Sequence, residues 1–482
     1  MTDVRARRFV VLGGGACGMT AAYTLARAGA DVTVLEREPR IGGLCGTHER
    51  DGFRFDLGGH RFISRSQAMH ELVRELLGDS LLLRRRSSVV LHGGERYRYP
   101  LELDEILRKV TPRRAARIVG SYVGERVAQS VRRAPDRSFE DWVTHRFGRE
   151  LYDDFFGPYT EKLWGLSPTQ ISADWASQRI SLLSLSDVML RLAGLRRGGA
   201  RTYARRYLYP RLGIGEIFER MAARMQEAGG RVITGARVTG VERRGASVRA
   251  VRYTHDGREH ELAADGVLST IALPTLTRML GGRALDDSVA RSADRLRFRA
   301  IRLCNILLDL PEVSPHTWMY VSEPRYLMAR IQEPRQRSPF AAPPGKTSLM
   351  LEIPCHVGDA TWSASDDEIY ARCMDDLERL GFGHVRAATL GHFSTYVEEG
   401  YPIYHLDYAH DRDRLLAFVG ATKNVISCGR QGAFRYIFMD TAMEMGIAAA
   451  AALLHGTDGA GARPIAELRS ERGLVESQAL TA

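Results

Sequence analysis

A glycine-rich turn near the N-terminus constrains the fold of this chain more than any other feature. Phe9-Val-Val-Leu12 has the pattern of a short buried strand, and Gly13-x-Gly15-x-x-Gly18 follows it directly. Residues 19–28 predict a helix, and residues 31–36 predict a second strand that ends at Glu36. This order of elements predicts a strand, helix, strand unit that begins a parallel sheet.

The spacing of these residues predicts a bound dinucleotide. Glycines at 13, 15 and 18 permit a tight turn and a close approach of the backbone to a pyrophosphate, which the helix N-terminus attracts. Glu36 follows Gly18 by 18 residues and can accept hydrogen bonds from both ribose hydroxyls. The glycines alone fit an ordinary turn, but the strands, the helix and the acid together favour a dinucleotide site.

The chain is strongly basic, and arginine carries almost all of this charge. The 482 residues have a formal net charge of +10, and only four of the 68 basic residues are lysines. Acidic residues lie between most of the arginines, and no zinc-finger, homeodomain or RNA-recognition motif accompanies them. The sequence therefore disfavours nucleic acid as a partner and favours a small, anionic substrate.

The cysteines and the apolar segments indicate a protein of the reducing cytoplasm. The six cysteines include no Cys-x-x-Cys pair, so we expect no bound metal and no disulfide framework. Residues 5–12 resemble the start of a secretory signal, but three consecutive glycines interrupt it. No apolar run reaches the ~20 residues that a membrane span needs. We therefore expect no transmembrane segment.

Residues 103–131 carry an apolar stripe at helical spacing, interrupted at Thr111-Pro112, with arginines opposite. The apolar positions are Ile106, Leu107, Val110, Ile118, Val119, Tyr122, Val123 and Val127. Such a stripe is more typical of a helix face that packs on the core than of one that lies on a membrane. We predict a core face, and peripheral membrane contact stays as the alternative.

Two further glycine pairs follow the Glu36 strand. They lie in the segments Arg40-Ile-Gly42-Gly43-Leu44 and Asp56-Leu-Gly58-Gly59-His60. With these pairs the sequence resembles the FAD-dependent amine-oxidase and protoporphyrinogen-oxidase superfamily.

Two later motifs narrow the resemblance to flavoproteins that are similar to UDP-galactopyranose mutase. The segment from Asn424 to Asp440, with Gly429-Arg430 before a new helix, resembles their flavin-binding end. Tyr159-Thr-x-Lys162-x-Trp164-Gly, followed by Arg179-Ile180, resembles their sugar-nucleotide pocket.

The resemblance implies FAD bound in an extended form, and it implies which residues hold it. The expected cofactor contacts are Gly13, Gly15, Cys17, Gly18, Glu36, Arg37, Arg40, Gly43, Leu44, Gly58, Gly59, His60, Val238, Gly429, Arg430, Met439, Asp440 and Thr441. The expected substrate contacts are Tyr159, Lys162, Trp164, Arg179, Arg330, Tyr401, Tyr404 and Tyr436. Among all of these, the expected catalytic residues are His60, Arg179 and Arg330.

The fold that the resemblance implies is α/β with two domains. A discontinuous, Rossmann-like FAD domain is expected from residues 1–80, 212–290 and 390–455. Residues 81–211 and 291–389 are expected to form a substrate domain of helices and antiparallel sheet, and residues 456–482 a mobile tail. The site is expected where the two domains meet.

One departure from the family pattern decides which reaction we expect. Ile63 stands where the mutase motif has its second histidine, although the first histidine, His60, is kept. We therefore expect an FAD-dependent oxidoreductase that transfers hydride at flavin N5 from a sugar nucleotide or a glycosylated intermediate. A mutase-like isomerase with reduced flavin N5 as nucleophile is one alternative. A protoporphyrinogen-oxidase or desaturase type of enzyme with a lipophilic substrate is another. The sequence predicts no oligomeric state.

Overall fold

Two β-sheets organise the structure, a computed structural model that describes residues 7–99, 101, 103–179, 206–455 and 465. The strands are β1 (Arg8–Leu12), β2 (Asp31–Leu35), β3 (Thr47–Arg50), β4 (Phe53–Asp56), β5 (Leu81–Arg85), β6 (Ser88–His92), β7 (Glu95–Arg98), β8 (Arg206–Pro210), β9 (Arg231–Ile233), β10 (Arg237–Arg244), β11 (Ser247–His255), β12 (Arg258–Ala263), β13 (Gly266–Ser269), β14 (Phe298–Leu308), β15 (Trp318–Val321), β16 (Arg330–Gln332), β17 (Thr347–Cys355), β18 (Thr389–Pro402) and β19 (Val425–Ser427).

Helices cover both sheets. They are α1 (Ala16–Arg27), α2 (Gln67–Leu77), α3 (Leu103–Lys109), α4 (Pro112–Arg132), α5 (Phe139–Phe147), α6 (Arg149–Leu151), α7 (Gly157–Trp164), α8 (Ala173–Arg179), α9 (Glu216–Glu227), α10 (Leu273–Gly281), α11 (Asp287–Arg295), α12 (Ala360–Ser363), α13 (Asp366–Arg379), α14 (His384–Ala387), α15 (Tyr408–Gly420), α16 (Gly429–Gly432) and α17 (Met439–His455).

The first sheet is parallel and confirms the predicted strand, helix, strand unit. Its strand order is β19-β13-β1-β2-β9, and every neighbouring pair is parallel. Alternate residues of β1 enter two cores, because successive side chains of a strand point to opposite faces. Phe9 and Val11 pack with α1, α9 and α17, whereas Val10 and Leu12 belong to the core on the other face. The carboxyl ends of these strands thus form one edge beside the N-terminus of α1.

The second sheet is mixed and has the strand order β18-β14-β17-β16-β15-β6-β7. All its neighbouring pairs are antiparallel except β15 with β6. The small antiparallel sheet β10-β11-β12 and the pairs β3-β4 and β5-β8 complete the strands. The predicted α/β fold class is confirmed.

One expected domain boundary is wrong. Residues 390–402 were expected in the FAD domain, but β18 pairs with β14 from Thr389 to Pro402. Backbone hydrogen bonds along the length of β18 therefore keep these residues in the second sheet. We propose that the FAD domain resumes only after Pro402.

The apolar stripe of residues 103–131 faces the core in its first half only. Ile106 and Ile118 are buried, as predicted, whereas Val123 and Val127 are 50% and 60% exposed. The prediction of a core face is therefore wrong for the second half of α4, where the helix extends past its packing partners.

Three further expectations concern membranes, metal ions and the C-terminus. Among the helices of the described residues, none is long and apolar enough to cross a membrane. Within the same residues, no group of three or more His, Cys, Asp or Glu side chains could hold a metal ion. The expected tail, 456–482, lies outside the described residues except for Ile465, which is buried.

Candidate active site

The turn between β1 and α1 has the geometry of a phosphate cradle. Gly13 has a φ of +95°, and a Cβ on Gly18 would lie 2.0 Å from the carbonyl oxygen of Gly13, so both positions require glycine. The N-cap of α1 is Gly15, which offers no side-chain cap, and the first turn holds no acidic residue. The free amides and the positive end of the helix dipole are therefore left for an anion.

Glu36 lies directly after β2 and beside this turn. Its buried carboxylate accepts hydrogen bonds from the backbone amides of Gly14, at 2.6 Å, and Glu38, at 2.9 Å. Burial raises the pKa of Glu36 even though both amides act to lower it. Each oxygen accepts one amide and keeps a lone pair, so the carboxylate can also accept ribose hydroxyls.

The second glycine pair packs against the first turn. The amide of Gly42 donates to the carbonyl of Gly14 at 2.8 Å. A Cβ on Gly43 would lie 3.0 Å from Cα of Gly15, so the two turns are in backbone contact. Gly43 and Leu44, both half-buried, thus lie beside the phosphate cradle, and their contact with the cofactor stays a prediction.

Two arginines of this region face solvent instead. Arg37 is paired with Glu38 and Glu398, and exposed Arg40 donates to the carbonyl of Thr47 at 3.4 Å. The structure therefore does not bring either guanidinium into the cradle, although both were expected as cofactor contacts.

The segment after β19 closes the cradle from the C-terminal side. Gly429 has a φ of +81°, and a Cβ there would lie 3.0 Å from Cβ of Cys17. Cys17 and Cys428 are buried with their Sγ atoms 3.4 Å apart. Met439, Asp440 and Thr441, all buried, begin α17.

Arg430 and Val238 hold positions at opposite ends of this region. Arg430 donates to the carbonyls of Gly400 and Ile437, and its guanidinium lies 4.5 Å from the ring centroid of Tyr436. Val238 is half-buried in β10, two residues after Ala236, whose amide donates to the carbonyl of Glu36. Val238 thus lies close in the chain to a residue that contacts Glu36, and Arg430 lies against Tyr436.

The Gly58-Gly59-His60 turn meets the second sheet at Trp318. A Cβ on Gly59 would lie 1.7 Å from the indole ring of Trp318, so the ring packs directly on this backbone. Gly58 has a φ of +124°, which favours glycine. This contact places Gly58 and Gly59, the third glycine pair, between the phosphate cradle and β15, the strand that carries Trp318 and Tyr320.

His60 is half-buried and uncharged. Burial, with the nearby charges of Arg430 and Arg337, lowers the pKa of His60 to about 3. Its Nδ1 is buried and makes no hydrogen bond with any described residue. His60 can therefore accept or donate a hydrogen bond as a neutral imidazole, but it is not a cationic acid near neutral pH.

Three neighbouring strands place Tyr320, Arg330 and Glu352 side by side. Tyr320 of β15 is in register with Arg330 of β16, which is in register with Glu352 of β17. Arg330 donates to Glu352 at 2.5 Å and to the hydroxyl of Tyr401 at 2.8 Å through Nη1, and to the hydroxyl of Tyr159 at 3.2 Å through Nε.

The row is a buried, charge-compensated network. The hydroxyl of Tyr401 also donates to Glu352, at 2.8 Å. Burial acts to lower the pKa of Arg330, but Glu352 and the surrounding tyrosines raise it well above its ordinary value. Burial raises the pKa of Tyr159 to about 12. Arg330 is therefore permanently charged, and Glu352 already neutralises it.

Lys162 does not fit its expected role as a substrate contact. Its ammonium donates to three backbone carbonyls, those of Val321, Glu323 and Met328, at 2.6–3.1 Å. An ammonium has three donors, so none is left for a ligand. Lys162 instead fastens α7 to the loop between β15 and β16, and we correct its expected role to a structural one.

Trp164 and Tyr404 are also core residues. Each is 1% exposed. Trp164 packs edge-on against Trp175 and Tyr401, and Tyr404 is stacked on Tyr408. With no exposed surface, they support the site without lining it, which corrects their expected role as substrate contacts.

Tyr436 and Arg179 are the two expected substrate residues that remain. Tyr436 is half-buried and stacked on Tyr401, so it joins the aromatic row. Arg179 ends α8, and its side chain lies outside the described part of the structure.

The sequence arguments missed Trp318, Tyr320, Arg61 and Arg337. The guanidinium carbons of Arg61, Arg330 and Arg337 lie 6.0, 5.4 and 5.9 Å from the ring centroid of Trp318. Trp318 and Tyr320 are two residues apart on β15, so their side chains point to the same face of the sheet. This spacing is the only signal of the shared face in the local sequence. The arginines come from distant segments, and no local pattern marks them.

Comparisons with known proteins give the chain a family. A family model described as flavin containing amine oxidoreductase matches residues 16–454. A carotenoid 3,4-desaturase of Haloarcula japonica is 48% identical over 58 residues, which are 12% of each chain. A coproporphyrinogen III oxidase of Mycobacterium tuberculosis is 25% identical over 396 residues, covering 77% of this chain and 82% of that protein.

The fold also matches a solved structure along nearly its whole length. A reduced UDP-galactopyranose mutase superposes with a TM-score of 0.77 and 20% identity, covering 93% of this chain and 94% of that one. At this identity the match concerns the fold alone.

Proposed function

Since the chain belongs to the flavin containing amine oxidoreductase family and is an FAD-dependent enzyme, we propose that it oxidises an anionic small molecule, a sugar nucleotide or another glycosylated intermediate. FAD supplies a two-electron acceptor when it is bound. The phosphate cradle fits this cofactor, because its glycines leave no Cβ in the way and its helix end is uncapped. Glu36 would hold the adenosine ribose.

The observation that carries the proposal is the row of Tyr320, Arg330 and Glu352 beside the third glycine pair. Half-buried Tyr159 and Tyr320 offer aromatic faces on which a sugar or a nucleobase can pack. Glu352 and two tyrosine hydroxyls fix the Arg330 guanidinium, and Nη2 has no hydrogen bond among the described residues. A fixed guanidinium with the two N–H donors of Nη2 free orients a polar ligand without a large entropic cost.

Trp318 links this row to the place where the flavin ring would lie. The indole packs on Gly59, and it is in the same strand as Tyr320. A ligand held by the row would therefore face the Gly58-Gly59-His60 turn, with its reacting carbon shielded from water by aromatic rings. His60, neutral and half-buried, can accept a hydrogen bond from a hydroxyl group of the substrate.

The residue at position 63 favours oxidation over isomerisation. Ile63 is half-buried and packs with the core of the first sheet, so it offers no polar group beside the cofactor. The mutase-like alternative lacks the second histidine of its motif here.

A second candidate substrate is a porphyrinogen with several carboxylates. It is favoured by the curated relative that covers most of this chain, the coproporphyrinogen III oxidase. The cluster of guanidinium groups around Trp318 suits a polycarboxylate as well as a diphosphate.

Anaerobic mixing of the oxidised holoenzyme with each candidate tests the proposal. A sugar nucleotide that is a substrate will bleach the visible absorbance of the oxidised flavin, and coproporphyrinogen III will not. Bleaching by coproporphyrinogen III alone would favour the second candidate, and bleaching by neither would contradict both.

A pair of arginine variants tests the row itself. Arg330→Met is expected to slow bleaching by roughly a hundredfold or more, because orientation of the bound substrate is lost. Arg325→Met is the matched control, since Arg325 is exposed and pairs with Glu323. Equal rates in the two variants would contradict a role of Arg330 in the reaction.

A further inference from the structure

We propose that Arg61 and Arg337 form an anion subsite next to Trp318, where a phosphate or carboxylate oxyanion of the substrate binds. The inference deepens the proposed function and rests on it. It assigns the neutralisation of the substrate to Arg61 and Arg337 and leaves its orientation to Arg330.

Arg330 is not well suited to neutralise an anion. Its charge is already compensated by Glu352, which accepts from it at 2.5 Å within a buried network. An incoming anion would meet an ion pair without net charge, so Arg330 can orient a ligand but offers it little net attraction.

Among the described residues, Arg61 has no such compensation, and Arg337 has only a long ion pair with Asp56, at 4.0 Å. Half-buried Arg61 forms no hydrogen bond or ion pair with any described residue, and its one recorded partner is the indole of Trp318, with 6.0 Å between its guanidinium carbon and the ring centroid. Arg337 is 2% exposed and donates to Gln332, but its buried Nη1 makes no hydrogen bond with any described residue. Buried donors normally have a partner, so this unpaired Nη1, on a guanidinium that contacts the same indole as Arg61, points to a ligand.

The nearest carboxylate does not fill this gap. Asp56 Oδ2 lies 4.0 Å from Arg337 Nη1, at the limit of an ion pair. Asp56 instead accepts hydrogen bonds from Thr47, from Tyr209 and from the amide of Ile214. The ion pair offsets part of the charge of Arg337, but at 4.0 Å it leaves the N–H groups of Nη1 without a hydrogen-bond acceptor.

The electrostatic surroundings favour an added negative charge. Burial and the nearby Arg86 both lower the pKa of Arg61, which means that its charged form is disfavoured where it stands. Tyr99, Tyr207 and Tyr320 also face it, and burial raises the pKa of Tyr207 and Tyr320, so these two hydroxyls carry no charge near pH 7. An oxyanion between Arg61 and Arg337 would relieve this repulsion and satisfy the unpaired donor.

The position of the pair argues for the substrate and against the pyrophosphate of the cofactor. The pyrophosphate of a dinucleotide belongs at the N-terminus of α1, where Gly15 and Gly43 meet. Arg61 and Arg337 lie against Trp318, on the side of the row that Tyr320 and Arg330 share. A ligand whose ring packs on the row can therefore place its oxyanion between these two arginines.

Binding of three probes to the oxidised holoenzyme tests the proposal. UDP supplies a diphosphate, coproporphyrin III supplies carboxylates, and uridine is the uncharged counterpart of UDP. Arg61→Ala and Arg337→Gln are each expected to weaken the binding of whichever charged probe the wild-type enzyme binds by about tenfold or more. The affinity for uridine is expected to stay unchanged. Arg85→Ala, a neighbouring exposed arginine, is the matched control and is expected to bind as wild type does.

Flavin content and thermal stability are measured on every variant. Wild-type FAD content in both variants, with weakened binding of UDP or coproporphyrin III, would support the subsite. Loss of FAD in Arg61→Ala would show that the guanidinium serves the cofactor and would overturn the proposal. Unchanged affinity in both folded variants would also overturn it, as would a wild-type enzyme that binds neither probe.

The same data separate the inference from the proposed function. Coproporphyrin III bound through Arg61, with no binding of UDP, would uphold the subsite and reject the sugar nucleotide. UDP bound with equal affinity by wild type and both variants would reject the subsite and uphold the sugar nucleotide.

Discussion

At the scale of single residues, Gly59 shows how little space separates the third glycine pair from the aromatic row. The ring of Trp318 occupies the volume that any Cβ at this position would need. We predict that Gly59→Ala destabilises the protein by about 1–3 kcal/mol, because either the ring or the turn must move. Thermal and urea unfolding measure the loss, with Gly391→Ala as control, since a Cβ there meets nothing within 4 Å.

A double variant sharpens this test. Removing the ring in Gly59→Ala/Trp318→Ala is expected to relieve the clash, so that the two substitutions are strongly non-additive. Additive effects would show that Trp318 does not pack on Gly59.

Lys162 is predicted to matter for stability and not for substrate affinity. In Lys162→Met three buried carbonyls lose their donor, and we expect a loss of about 2 kcal/mol or more in the free energy of unfolding. KM is expected to stay at the wild-type value. Lys346→Met, in a surface pair with Asp309, is the control. A raised KM with unchanged stability would restore Lys162 to the substrate site.

His60 gives a prediction about pH. Because its pKa is lowered from 6.5 to about 3 in the folded protein, the unfolded chain binds this proton first as the pH falls. Above pH 6.5 neither state is protonated at His60 and stability is unaffected, whereas between about pH 6.5 and pH 3 stability is lost.

His60→Asn removes the contribution of this histidine to the pH dependence of folding stability. Urea unfolding at several pH values is expected to show a shallower loss of stability in the variant over this range. The pH profile of kcat is expected to show no ionisation of His60 between pH 5 and 8. An inflection near pH 6.5 that disappears in His60→Asn would mean that the histidine is charged in the site.

At the scale of elements, local patterns predicted most strands and helices but not which faces they bury. The β1, turn, α1, β2 unit was predicted because its signals are contiguous and each has a physical cause. The stripe of residues 103–131 was predicted as helix with a break at Pro112, as found. Its burial could not be read from spacing, because spacing does not say where the packing partners of a helix end.

This difference along α4 can be measured. Ile118→Ala is expected to cost about 2–4 kcal/mol, because the side chain is 1% exposed. Val127→Ala is expected to change stability by less than about 0.5 kcal/mol, since Val127 is 60% exposed. Similar losses in both variants would mean that a further surface covers Val127.

At the scale of the whole molecule, the cradle was predictable and the substrate side largely was not. Glu36 and the glycines at 13, 15 and 18 lie within one short segment, and their spacing encodes their geometry. Trp318 lies in β15, Arg61 in the loop between β4 and α2, and Arg337 in the loop between β16 and β17, so only the tertiary fold brings them together and no local pattern encodes it. For the same reason the resemblance selected Lys162, Trp164 and Tyr404, which share the segments of the site but not its surface.

We propose that this FAD enzyme carries out net oxidation of an anionic, glycosylated substrate. The decisive measurement is a titration of the oxidised and the chemically reduced holoenzyme with UDP-sugars, followed by the flavin spectrum without oxygen. The substrate is expected to bleach the oxidised flavin with formation of an oxidised product, and the reduced enzyme is expected to give no isomer. An isomerised sugar released while the flavin stays reduced, with no bleaching of the oxidised form, would contradict it.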